Sequence, residues 1–275
     1  MDKLYRLVQA DGFCFKAFGV TVGVRVSQSS AISRIQAQLP PTWSLLETEK
    51  VDRLYSFIVH TQPLCPGIRR FHLLYGNSQN LARIEDDEKL FDAFETDLNL
   101  HIATTARTRF FVHAGVIGWQ GKAIVIPGCS YTGKTTLVKE FLRQGATYYS
   151  DEFAVFDLNG CVHPFAKPLG VREDATQKQT KVSANSLGCA VGVKPLQPGL
   201  ILFTRYEESA RWLPKPLSRG RAVLSLLGNA FSVRENPEVA LTFAEKAVRH
   251  ARILAGVRGS AEEVVSTILE GATMV

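Results

Sequence analysis

Gly128-Cys129-Ser130-Tyr131-Thr132-Gly133-Lys134-Thr135-Thr136 is the stretch on which the reading of this chain turns. Its first eight residues follow G-x-x-x-x-G-K-T, the spacing of a loop that cradles phosphate. The two glycines let the backbone curl until successive N–H groups converge on one anion. Lys134 is then placed to reach the β- and γ-phosphates, and the Thr135 hydroxyl to hold Mg2+. The flanks fit this reading. Residues 122–126, Lys-Ala-Ile-Val-Ile, read as a buried strand. Thr135 to Gln144 reads as a helix, with Leu137, Phe141 and Leu142 on one face and Gly145 as its stop. Strand, loop and helix in that order set the positive end of a helix dipole against phosphate. Residues 128–136 are therefore the expected nucleotide contacts, with ATP and Mg2+ as ligands.

Upstream, Arg109 to Ile117 and Lys122 to Ile126, joined at Trp119-Gln120-Gly121, read as a β-hairpin that feeds directly into the loop. Most nucleotide-binding folds instead begin on an isolated parallel strand. Downstream, residues 146–149 form a strand that runs into Ser150-Asp151-Glu152. A second hairpin follows, turning on residues 157–160. Residues 173–190 are polar and without periodicity, as in a loop able to fold over bound phosphate. Residues 199–204 read as another buried strand, and the C-terminal quarter as helices. One of these opens at Asn236-Pro237 and runs to about Leu254, and the last starts with a capping box at Ser260 and Glu263. Ahead of all this, residues 1–106 read as a small α/β domain. In it, Val20, Val22, Val24 and Val26 alternate on a strand, and Leu90, Phe91, Phe94, Leu98 and Ile102 recur at helical spacing.

His113-Ala-Gly115 on a strand, the loop at 128–136, and Ser150-Asp151-Glu152 one helix and one strand later resemble the HPr kinase/phosphorylase catalytic domain. The likeness covers about residues 107–230 and is greatest to the divergent HPr-kinase-like serine kinases. It implies an α/β fold related to phosphoenolpyruvate carboxykinase: a P-loop kinase domain over 107–275, with a mixed sheet entered by a β-hairpin and C-terminal helices. It also implies ATP-dependent phosphorylation of a serine hydroxyl. Asp151 then serves as base or holds Mg2+ through water, and Glu152 is a further metal candidate. His113, on residues alone an ordinary core histidine, becomes a contact to phosphate or an orienter of Asp151. Lys167 and Arg172, flanking a proline-bearing turn, become candidates for holding transferred phosphate or an acidic substrate. The chain also departs from the bifunctional enzymes. Thr136 stands where they carry an acidic residue, Asp151-Glu152 replaces a pair of aspartates, and the signature tied to phosphorolysis has no counterpart in 166–195. These departures count against phosphorylase activity and against HPr as acceptor. A protein or peptide serine is the leading acceptor. A small-molecule hydroxyl and a nucleotide-binding regulatory module without catalysis are the alternatives.

The bulk properties narrow the field further. The chain has 275 residues, 45% of them hydrophobic and 21% charged, enough for one large domain or two ordinary ones with real cores. Most of the net charge of +6 comes from residues 109–150, where Arg109, Lys122, Lys134, Lys139 and Arg143 face a single acid, Glu140. An excess of positive charge around a phosphate loop favours a polyanionic ligand. No basic stripe with interleaved aromatics marks a nucleic-acid surface. Arg205, Arg211, Lys215, Arg219 and Arg221 form a basic run suited to an acidic peptide. The five cysteines, Cys14, Cys65, Cys129, Cys161 and Cys189, contain no C-x-x-C pair, so neither a zinc site nor a disulfide framework is expected. No stretch has the length of a signal peptide core or a membrane span, so a cytoplasmic protein is expected, with self-association left open.

Overall fold

The computed structural model describes residues 11–60, 69–129, 132–171 and 180–270. The chain divides into two compact units, Met1–Arg107 and Thr108–Val275. Ser130, Tyr131 and Arg172 lie outside the described residues.

In the first unit β1 (Asp11–Ala17) and β2 (Val20–Val26) pair antiparallel. Phe18 and Gly19, both at positive φ, make the tight turn whose twist suits a hairpin. A short helix α1 (Ile32–Ala37) precedes β3 (Ser44–Leu45), β4 (Arg53–Ile58), β5 (His72–Gly76) and β6 (Gln79–Ile84). The sheet order is β3-β1-β2-β4-β5-β6, with β2 and β4 parallel. Helix α2 (Asp87–Thr105) then packs its apolar stripe on the sheet. It starts cleanly because the Asp86 carboxylate accepts from the Glu88 and Lys89 amides. Phe94 meets Tyr55 and Phe57 edge-on, each at 5.0 Å between centroids. Beside this contact Asp97 accepts from Arg53 at 2.7 Å and from the Tyr55 hydroxyl at 2.6 Å.

The second unit opens with β7 (Phe110–Trp119) and β8 (Lys122–Pro127), an antiparallel hairpin turning on Gln120 and Gly121, both at positive φ. Helix α3 (Lys134–Arg143) follows the loop. Next come β9 (Thr147–Ser150), β10 (Phe153–Phe156), β11 (Val162–His163), β12 (Leu169–Val171), β13 (Thr180–Val182), β14 (Pro198–Tyr206) and β15 (Lys215–Pro216). Helices α4 (Arg219–Leu227) and α5 (Pro237–Val248), strand β16 (Arg252–Arg258) and helix α6 (Ala261–Glu270) complete it. The main sheet runs β11-β10-β7-β8-β14-β16-β15, with β9 also on β7. Strands β8, β14 and β16 are parallel, and the other pairings are antiparallel. One face is covered by α4 and α5 through Ala222, Leu226, Phe243 and Ala247. The other is covered by α3 and α6 through Leu137, Phe141, Val264 and Ile268. Helices on both faces of a mixed sheet make this an α/β fold.

Two expectations need correction. The C-terminal quarter is not all helix: α5 ends at Val248, and residues 252–258 form β16, parallel to β14 along its whole length. Leu254 lies two helical turns beyond Ala247 on the same face, so helical spacing alone does not mark the break. A parallel strand buried on both faces has no polar–apolar alternation to set it apart. Nor is 173–190 one irregular loop. Residues 180–182 pair with β12, Leu169 opposite Val182, and residues 185–187 form a short 3-10 turn. Residues 173–179 lie outside the described part.

Candidate functional site

The loop after β8 is closed on itself. The Thr132 hydroxyl and the Lys134 ammonium both donate to the Cys129 carbonyl, at 2.9 and 2.6 Å. The Gly128 amide donates to the His113 carbonyl at 3.1 Å, tying the start of the loop to β7. Gly133 caps α3 at φ 79°, a left-handed conformation that suits glycine. A Cβ there would also collide with the Arg258 guanidinium. Lys134 is only 6% exposed, and burial lowers its pKa against the opposing pull of Asp151. A phosphate arriving at the loop would replace the Cys129 carbonyl as its partner.

Asp151 is delivered by a break in one strand. Strands β9 and β10 lie end to end along β7, Ser150 pairing with Val116 and Phe153 with His113. Between them the buried Ser150 hydroxyl accepts from the Glu152 and Phe153 amides at 3.2 and 3.0 Å, making a local turn. Asp151 Oδ2 accepts from the Thr135 hydroxyl at 2.9 Å. Its Oδ1 is buried with no hydrogen-bond partner among the described residues. Burial pushes the Asp151 pKa up to about 6, against the Thr135 hydroxyl, the Lys134 charge and the Gly170 amide, which pull it down.

Helix α3 comes this close to the sheet because of Gly115. This residue pairs with Ile126 of β8 and lies under α3, where an added Cβ would stand 2.6 Å from Val138 Cγ2 and near Lys134 Cβ. His113, two residues earlier on the same strand, has its amide held by the Asn229 carbonyl at 2.8 Å. Burial, and to a lesser extent the Lys134 charge, lower its pKa to about 4, so its ring is neutral at pH 7. Among the described residues the ring makes no hydrogen bond to Asp151.

The structure thus brings together Gly128, Cys129, Thr132, Gly133, Lys134, Thr135, Asp151 and the backbone of His113. Thr136 is exposed on the first turn of α3. Glu152, half-buried, sits in the turn between β9 and β10, its amide held by the Ser150 hydroxyl. Lys167 lies between β11 and β12, where its carbonyl accepts from the Tyr148 hydroxyl at 2.7 Å. Sequence reasoning missed three contributors: Ser150 as the turn-former, Gly115 as the space for α3, and Arg258 behind the loop. The Arg258 guanidinium, 2% exposed, donates to the carbonyls of Gly133 at 2.9 Å, Thr132 at 3.4 Å and Gly259 at 3.1 Å. Nothing local marks it, since it ends a strand whose first residues, up to about Leu254, read as the end of a helix.

Thr135 and Asp151 also suit a magnesium ion. Such an ion keeps most of its waters and takes one or two protein oxygens plus phosphate. A hydroxyl and a carboxylate with one uncommitted buried oxygen match that demand. Among the described residues no group of three or more His, Cys, Asp or Glu forms a complete metal cage. Among them, too, no helix is long and apolar enough to cross a membrane. No family model matches the chain, and no curated protein matches it.

Proposed function

We propose that the second unit is an Mg·ATP-dependent phosphotransferase of the HPr-kinase-like kind, moving the γ-phosphate to a hydroxyl, with a serine of a protein or peptide as the leading acceptor. The observation that carries this reading is the 2.9 Å hydrogen bond between Thr135 and Asp151, made at the N-terminus of α3 beside Lys134. Bound Mg2+ would neutralise charge on the β- and γ-phosphates. The amides of residues 133–136 and the Lys134 ammonium hold the phosphate chain. The Asp151 carboxylate, with its pKa near 6, takes the proton from the acceptor hydroxyl as that oxygen bonds to the γ-phosphorus and ADP departs. His113, neutral and anchored through its backbone to the loop, positions the loop and not the proton. The free thiols of Cys14, Cys129, Cys161 and Cys189 fit a reducing cytoplasm.

Labelled ATP with candidate acceptors tests the reading, comparing the wild type with Lys134→Ala and Asp151→Asn. Transfer is expected in the wild type and lost, by about a hundredfold or more, in both variants. Undiminished transfer in both would overturn these roles. ATP binding without turnover on any acceptor would leave the nucleotide-binding regulatory module.

A further inference from the structure

Beside the loop lies a cavity of about 420 Å3, lined by Gly133, Thr136, Tyr206, Ser209, Arg258 and the start of α6 at 259–261. Its volume is that of a small-molecule pocket. Its place in the sheet is informative. Strands β8, β14 and β16 are parallel neighbours and end at one rim, with Tyr206 opposite Arg258 in the ladder. Ligands of α/β sheets bind outside the carboxyl ends of such strands. Asp151 reaches the loop from the other side of β8, by way of β7 and β9. The loop thus has a carboxylate on one flank and a concavity on the other.

Resting on the phosphotransferase reading, we propose that this cavity is the nucleoside subsite. The base and ribose enter it past Gly133 and Thr136, and the γ-phosphate points the opposite way, toward Asp151. A phosphate chain laid across the first turn of α3 has its two ends at these two flanks. Tyr206, 55% exposed, supplies an aromatic surface on which a base can stack. The Arg258 guanidinium carbon lies 5.5 Å from the centroid of the Tyr206 ring, steadying it. Arg258 also links the subsite to the loop, because the group that lines the cavity donates to the Gly133 and Thr132 carbonyls. Acceptors would then approach from the β9–β10 side, away from Tyr206.

Calorimetry with Mg·ATP and with Mg·tripolyphosphate, which has the phosphates but no nucleoside, separates the two ends. The wild type should bind ATP more tightly than tripolyphosphate. Tyr206→Ala should weaken ATP by about tenfold and leave tripolyphosphate unchanged, Tyr206→Phe should bind both like the wild type, and Lys134→Ala should weaken both. An equal response of the two ligands to Tyr206→Ala, or no response, would overturn the subsite while leaving the phosphate loop standing. A wild type that binds neither ligand would overturn the phosphotransferase reading itself.

Discussion

The Thr135 hydroxyl donates to Asp151 Oδ2 at 2.9 Å, and no polar group among the described residues hydrogen-bonds the other oxygen of that carboxylate. One oxygen of the acid is committed to the loop, and the burial of the carboxylate is offset only in part by that bond, the Lys134 charge and the Gly170 amide. Leaving a buried acceptor unpaired is costly, so the site holds energy that a ligand can recover.

Thr135→Val removes the hydroxyl with little change of shape, whereas Thr135→Ser keeps it. Magnesium-dependent ATP affinity, followed by calorimetry across a metal titration, should fall by at least about tenfold in the valine variant and stay close to the wild type in the serine variant. Equal loss in both would mean that Thr135 acts through packing.

Asp151 and His113 pull the pH dependence of stability in opposite directions. The folded-state pKa of Asp151 is raised to about 6, so the fold binds more protons there than the unfolded chain, and its contribution weakens as pH rises from about 4 to 6. That of His113 is lowered to about 4, so its contribution is present above the ordinary histidine value and fades as pH falls toward 4. Each effect is at most about 3 kcal/mol, and smaller for His113, whose partial exposure lets solvent screen it. Unfolding free energy measured by denaturant between pH 4 and 6.5 should therefore be nearly flat for these two groups together. Asp151→Asn should make stability rise with pH in that window, and His113→Gln should make it fall. The same slope in both variants would contradict the assignments.

Gly115→Ala should destabilise the second unit by about 1–3 kcal/mol, because the new methyl group meets Val138 at 2.6 Å and must push α3 outward. Adding Val138→Ala should restore much of the loss. A double-mutant cycle by thermal denaturation reads the coupling, and simple additivity would rule out this contact as the cause.

Cys129 is exposed at the mouth of the loop, its thiol 3.8 Å from Asn229 Oδ1 and its carbonyl held by Lys134. Alkylation by iodoacetamide, followed by mass spectrometry, should slow when Mg·ATP is bound, and alkylated protein should lose ATP binding. ATP binding by Cys129→Ser should be insensitive to the reagent. Labelling that is indifferent to nucleotide would place the phosphates away from this end of the loop.

Capping at the last helix shows how far local reading reaches. Ser260 does accept from the Glu262 amide at 3.2 Å, but Glu263 does not return to Ser260. Its Oε1 accepts instead from the Trp212 amide, at 3.2 Å, a contact 51 residues away in the chain. The pattern signalled the start of a helix and was silent about which competitor would claim the carboxylate.

By itself the sequence determined what depends on neighbours along the chain. It marked the strand, glycine-bearing turn and helix around 128–143, the hairpin before them, the Ser150-Asp151-Glu152 stretch, and the stripe of α2. Each follows from backbone propensity and the periodicity of apolar side chains, which act within a few residues. Only the tertiary structure decided that β16 is a strand beside β14, and that Gly115 is the gap into which α3 settles. It also brought Arg258 to Gly133 from 125 residues away and set Tyr206 beside the resulting cavity. Such contacts depend on which strands pair and in what order. That order is chosen by burying apolar faces against one another across the whole unit, a global balance that no short window of residues records.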